Sequence, residues 1–146
     1  MNILFICLGN TCRSPMAEGL ARHRGEETGV TINALSAGLF AHMDGPAMPE
    51  AIAAVADKVD ISNHKTRQVE FAFVEAADYV VAMTADVKSI LLRQFPFFQN
   101  KILTLAEWAG EDGDVIDPFG GNQEEYNTCA NLIDAWLTKG WHRVTE

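Results

Sequence analysis

Positive charge is scarce in this chain. Eleven lysines and arginines stand against 20 aspartates and glutamates, a formal net charge of −9. So acidic a chain repels nucleic acid and anionic membranes, and neither is expected as a partner. Cysteine is scarce too: there are three, at positions 7, 12 and 129, two of them in one short stretch. An odd number so placed does not read as a disulfide framework. No Cys-x2-Cys pair occurs, and the four histidines (23, 42, 64 and 142) are scattered. Metal-ligand spacing is therefore missing, and no metal or other cofactor is expected. Long apolar runs are missing as well. None approaches a membrane span, and the short N-terminal run has no basic residue before it, unlike a secretory leader. These absences point to a reducing, cytoplasmic setting.

What is present suffices for one domain over residues 1–146, with 48% hydrophobic residues to build a core. Strand-like segments are Ile3–Ile6, residues 30–36, Tyr79–Met83 and Ile102–Leu105. Helix-like segments are 15–29, 49–58, 66–76, 85–95 and 124–138, with Ser14 as cap and Pro15 as first residue of the earliest. Strands alternating with helices predict an α/β fold, an open four-stranded parallel sheet with helices on both faces. Such sheets bind ligands beyond the carboxyl ends of their strands. Residues 106–122, rich in glycine, read as a long surface loop able to reach that edge.

The stretch Cys7-Leu8-Gly9-Asn10-Thr11-Cys12-Arg13-Ser14 lies between the first strand and the first helix. A tight loop there turns backbone N–H groups toward one point, and the helix start adds partial positive charge. That is an anion-binding nest, and its field favours the nucleophilic thiolate of a cysteine at its edge. Arg13 supplies a planar fork for two oxygens of a tetrahedral anion, and Gly9 supplies backbone freedom. The combination suggests phosphoryl transfer to the sulfur of Cys7. The nucleotide-binding loop Gly-x4-Gly-Lys-Ser/Thr is absent, and so is the three-glycine dinucleotide fingerprint. The scheme also needs a proton donor for the leaving group. Asp117, in Asp117-Pro118-Phe119, is the best candidate, although the same residues read equally well as the start of a turn.

Cys7 through Pro15 resembles the signature of the low-molecular-weight protein-tyrosine-phosphatase family. Ser36-Ala37-Gly38, His64 with Arg67-Gln68, and Asp117-Pro118-Phe119 follow in the family's order, so the resemblance covers essentially the whole chain. It implies Cys7 as nucleophile, Arg13 as phosphate clamp and Asp117 as general acid. It implies Ser14 as support for the thiolate, and Asn10, Ser36 and His64 as the hydrogen-bonded support of the loop. Leu8, Gly9, Thr11 and Cys12 complete the loop. Phosphorylated proteins are the implied substrates, and inorganic phosphate the product and an inhibitor.

Phe40 and Phe119 are expected to wall a slot for a long phosphorylated side chain, with Leu8 at its edge; ordinary loop packing is the competing reading for Phe40. Thr11 bears on the substrate. Tyrosine-directed members commonly carry an aliphatic residue there, whereas the bacterial protein-arginine-phosphatase branch carries threonine, and Asp117-Pro118-Phe119-Gly120-Gly121 is similar to that branch. Phosphoarginine, with phosphotyrosine beside it, is the expectation. Cys12 reads either as loop packing or as a partner forming a reversible disulfide with Cys7. Cys129 reads as buried and apolar. Two other classes stay open: an arsenate reductase of similar fold, against which the lack of cysteines in 84–95 counts, and a non-catalytic phosphate-binding module.

Overall fold

A computed structural model describes residues 1–145. The strands are β1 (Asn2–Cys7), β2 (Asn33–Gly38), β3 (Tyr79–Ala82) and β4 (Ile102–Thr104). The helices are α1 (Arg13–Thr28), α2 (Pro49–Val55), α3 (Phe71–Ala76), α4 (Ala85–Gln94), α5 (Leu105–Trp108), α6 (Gln123–Lys139) and α7 (His142–Thr145), with a 3-10 helix at Pro96–Lys101. All strand pairings are parallel, in the order β2-β1-β3-β4. The expected four-stranded parallel α/β architecture is present.

The sheet separates two apolar clusters. Ile3, Phe5 and Cys7 of β1 face one, with Met16, Leu20, Trp108, Ile133 and Leu137; Leu4 and Ile6 face the other, with Val74, Val87 and Leu91. Successive side chains on a strand alternate faces, and both faces of this sheet are covered. That is why β1 reads as a continuous apolar run. The same alternation aims the Cys7 side chain to the α1 side of the sheet, beneath the start of that helix.

Several segments differ from expectation. α1 begins at Arg13 with Cys12 as its cap residue, and no side chain caps it. Ser14 lies inside the helix because its hydroxyl is used elsewhere, and Pro15 sits third, still in the first turn where no N–H is required. β2 runs Asn33–Gly38 rather than 30–36. Val30 instead closes the turn after α1, its N–H donating to the Gly25 carbonyl, and Ala37-Gly38 continue the ladder opposite Ile6 and Cys7. Residues 66–70 are not helical: Gln68 bridges Gly38 in parallel, and the helix starts at Phe71. α2 stops at Val55. The long loop opens with α5, fixed by a reciprocal cap between Thr104 and Glu107.

Two close approaches shape the site. A Cβ on Gly38 would lie 2.8 Å from the Leu8 carbonyl oxygen, so β2 abuts the loop after β1 only without a side chain there. A Cβ on Gly19 would lie 2.6 Å from Ile61 Cγ2. The bare face of α1 thus admits the 59–64 segment, which carries His64.

Candidate active site

Asn10 is the hinge of the loop that links β1 to α1. It is fully buried, and its φ of 60° places it in the left-handed region, which asparagine tolerates better than most residues. The positive-φ position of the loop is therefore Asn10 and not Gly9, the residue expected to supply the freedom. Contacts from every side hold it. Its Nδ2 donates to Ser14 Oγ and Ser36 Oγ, both at 2.9 Å. Its Oδ1 accepts from the Arg67 backbone N–H at 3.0 Å. His64 Nε2–H donates to its carbonyl at 2.9 Å, which leaves His64 Nδ1 as a bare acceptor, buried without a partner. A left-handed residue costs roughly 1–3 kcal/mol and persists only where its surroundings over-determine it.

This framework sets the surroundings of Cys7. The Asn10 backbone N–H donates to Cys7 Sγ at 3.2 Å. Ser14 Oγ lies 2.9 Å from the same sulfur. With Cys7 ionised, the hydroxyl is the donor, and two donors converge on the anion. Ser36 in turn donates to Glu18 Oε1 at 3.1 Å. Glu18 sits unremarked among the helix formers of α1. No periodicity marks it, and only the fold brings it behind Ser36.

Arg13 is 6% exposed, at the first position of α1. Its Nη1 donates to the Val115 carbonyl at 2.9 Å, and its Nη2 lies 3.5 Å from Asp117 Oδ2. Its Nε is buried with no partner. The arginine thus bridges the loop and the 115–119 segment, where Asp117 Oδ1 accepts the Phe119 N–H at 3.1 Å. The turn reading and the acid reading of Asp117 are therefore compatible: one oxygen shapes the turn and the other faces the guanidinium.

A cleft of about 210 Å³ opens over these groups, lined by Cys7, Leu8, Gly9, Thr11, Cys12, Arg13, Asp117 and Phe119. Phe40 is not among its lining residues. The residue is 71% exposed, while its backbone N–H is tied to the Leu8 carbonyl and Gln68 clamps the residues on either side of it. Phe119 is also largely exposed, at the mouth. Cys12 Sγ lies 3.6 Å from both Thr11 Oγ1 and the Tyr126 hydroxyl. Burial pushes the Cys12 thiol up, against the opposing pull of those two hydrogen bonds. Burial raises the Tyr126 phenol as well. Tyr126 is buried on α6, and nothing in the sequence sets it apart from the other apolar-facing residues of that helix. Cys129, buried on α6, has its thiol pushed up to about 12, chiefly by burial, and donates weakly to the Ile116 carbonyl at 3.8 Å.

The chain is similar to known proteins. The profile of the family described as low molecular weight phosphotyrosine protein phosphatase matches residues 2–146. The chain is 44% identical over 138 residues to a protein-arginine-phosphatase of Bacillus subtilis (strain 168), covering 94% of this chain and 92% of that protein. It is 34% identical over 147 residues to a low molecular weight protein-tyrosine-phosphatase of Staphylococcus aureus, covering 94% and 95%. Among solved structures it superposes on a variant of YwlE arginine phosphatase with a phosphorylated active-site serine, at a TM-score of 0.95 and 38% identity, covering 100% and 97% of the two chains. On the family match over residues 2–146 and the identities to these relatives, the chain belongs to the low molecular weight phosphotyrosine protein phosphatase family.

Proposed function

We propose that the chain hydrolyses phosphoarginine in proteins, with phosphotyrosine as a second substrate, through a cysteinyl-phosphate on Cys7. The observation that carries the arginine preference is Thr11 on the lining of the cleft. Its hydroxyl offers a polar contact to a guanidinium that an aliphatic side chain lacks. The names of relatives as protein-arginine-phosphatases support the same reading and favour hydrolysis over arsenate reduction or passive phosphate binding. Leu8 and Phe119 give the cleft apolar edges suited to a long or aromatic side chain.

In this scheme the Cys7 thiolate attacks phosphorus in line with the leaving nitrogen or oxygen. Ser14 and the Asn10 N–H hold the sulfur as an anion beforehand. Arg13 and the loop N–H groups take up the charge on the equatorial oxygens, with Arg13 Nε the donor left free for this. Asp117, protonated, gives its proton to the leaving atom. It then accepts one from the water that splits the S–P bond, which releases inorganic phosphate and restores the thiolate. The side chains of Asn10, Ser36 and His64 act through the loop shape, and only the Asn10 backbone N–H reaches a reacting atom. Phosphate, as product, inhibits by occupying the same nest. No step calls for a metal, and the free thiols fit a cytoplasmic enzyme.

The test compares kcat/KM on phosphoarginine and phosphotyrosine peptides for wild type and Thr11→Ile. The ratio is expected to move toward phosphotyrosine in the variant. An unchanged ratio would remove Thr11 as the selector.

A further inference from the structure

A second cavity, of about 280 Å³, shares no lining residue with the cleft over Cys7. Arg22, Lys65 and Arg67 stand on its wall with His64, against Glu18 and Asp60. Both carboxylates are already engaged. Glu18 accepts from Ser36 and pairs with Arg22 at 2.7 Å, and Asp60 accepts the Ser62 N–H at 2.8 Å. Lys65 and Arg67 have no ion-pair partner among the described residues. With Arg22 paired to Glu18, Lys65 and Arg67 stand against Asp60 alone, a local positive surplus in a chain of net charge −9.

The same walls hold Asn10. His64 donates to its carbonyl, Arg67 donates to its side-chain oxygen through the backbone, and Glu18 orients the Ser36 that accepts from its amide. A ligand that fixes residues 64–67 therefore fixes the residue on which the catalytic loop turns.

We propose that this cavity binds a small polyanion, a free molecule bearing several carboxylate or phosphate groups, and that its occupancy is coupled through Asn10 to anion binding at Cys7. Lys65 and Arg67 supply the attraction, and Arg22 can share its guanidinium between Glu18 and the ligand. Held between Lys65 and Arg67, the anion restrains the segment whose backbone bonds keep Asn10 left-handed. Coupling between two sites is reciprocal, so each anion tightens the other by the same factor. The inference goes beyond the proposed function and concerns an effector site, not the substrate.

The test uses the full chain, with citrate as the polyanion and tungstate as a tetrahedral anion filling the catalytic nest. Amide resonances of residues 60–67 are followed by NMR as citrate is added, with and without saturating tungstate. Saturable shifts are expected in both cases, with tighter citrate binding when tungstate is present. The double variant Lys65→Ala/Arg67→Ala keeps the backbone bond to Asn10 and is expected to weaken citrate binding roughly ten-fold, the loss of two partly exposed ion pairs. Retained tungstate binding shows that this variant is folded. Citrate shifts abolished by tungstate, an unchanged affinity in the double variant, or no saturable shift would overturn the site. Equal citrate affinity with and without tungstate would overturn the coupling. Hydrolysis of an aryl phosphate is measured in the same samples. Turnover that does not depend on Cys7 would undermine the phosphatase mechanism, whereas a failed citrate titration leaves that turnover intact.

Discussion

Asp117 Oδ2 lies 3.5 Å from Arg13 Nη2, so a residue of the 115–119 segment is paired with the first residue of α1 across 104 positions of sequence. The pair joins two parts of one proposed machine: the cation that receives phosphate and the carboxyl that handles the proton. Arg13 is almost wholly buried and Asp117 half-exposed, so the anchored partner is the arginine.

Asp117→Asn is expected to lower kcat on phosphopeptides by about 10²–10⁴-fold, the usual worth of a positioned proton donor. The loss should shrink for an aryl phosphate with a strongly acidic phenol, which needs little protonation. Steady-state kinetics on two leaving groups checks this, and an equal loss on both would assign Asp117 a role in geometry instead.

Ser14→Ala removes one of the two donors to Cys7 Sγ and also a partner of Asn10 Nδ2. Loss of one preorganised donor to a developing or resting anion costs about 10²–10³-fold in kcat. The variant should stay folded, with a lower melting temperature. Pre-steady-state release of the leaving group would show that thiophosphate formation is the slowed step.

Burial raises the Cys12 thiol, while its hydrogen bonds to Thr11 and Tyr126 pull the other way. The neutral thiol is the form favoured by the fold, so its protection is complete below the ordinary thiol range and is lost as pH rises through the raised value. In a Cys7→Ser background, alkylation of Cys12 should be slow at pH 7 and accelerate only at alkaline pH. Tyr126→Phe removes a bond that favours the thiolate, so the alkylation midpoint should move further upward. Mass spectrometry of the modified peptide across pH reads both effects.

Gly38→Ala places a methyl group 2.8 Å from the Leu8 carbonyl and 3.1 Å from the Asn10 nitrogen. Those neighbours are backbone and cannot rotate away. The substitution should destabilise the protein by about 1–3 kcal/mol, as overpacking does, and lower kcat beyond what the lost stability explains. Denaturant unfolding and kinetics on the same preparation separate the two effects.

Part of this molecule is legible along the chain because the relevant physics is local. A strand of four apolar residues, a loop with cysteine and arginine, and a proline in the first turn of a helix mark the strand–loop–helix junction, although Ser36, His64 and Arg67 are needed to hold its Asn10 in place. The parallel sheet follows from the alternation of apolar runs with helical segments. Helix boundaries were less legible where another element supplies the deciding bond. Residues 66–70 have helical composition, yet pairing with Gly38 draws them straight. Ser14 looks like a cap, yet Cys7 and Asn10 use its hydroxyl.

The sequence by itself determined the chemistry on offer: one thiol and one guanidinium six residues apart, at a junction that gathers backbone N–H groups. Covalent spacing is enough for that, since strand, loop and helix leave the two side chains little freedom. Only the tertiary structure decided which carboxylate faces Arg13, which residue bears the positive φ, and that Phe119 lines the cleft over Cys7. Those outcomes depend on contacts between segments far apart in sequence, such as Gly38 against Leu8 and Ile61 against Gly19. The energy of such contacts comes from close packing, and no stretch of the chain carries it alone.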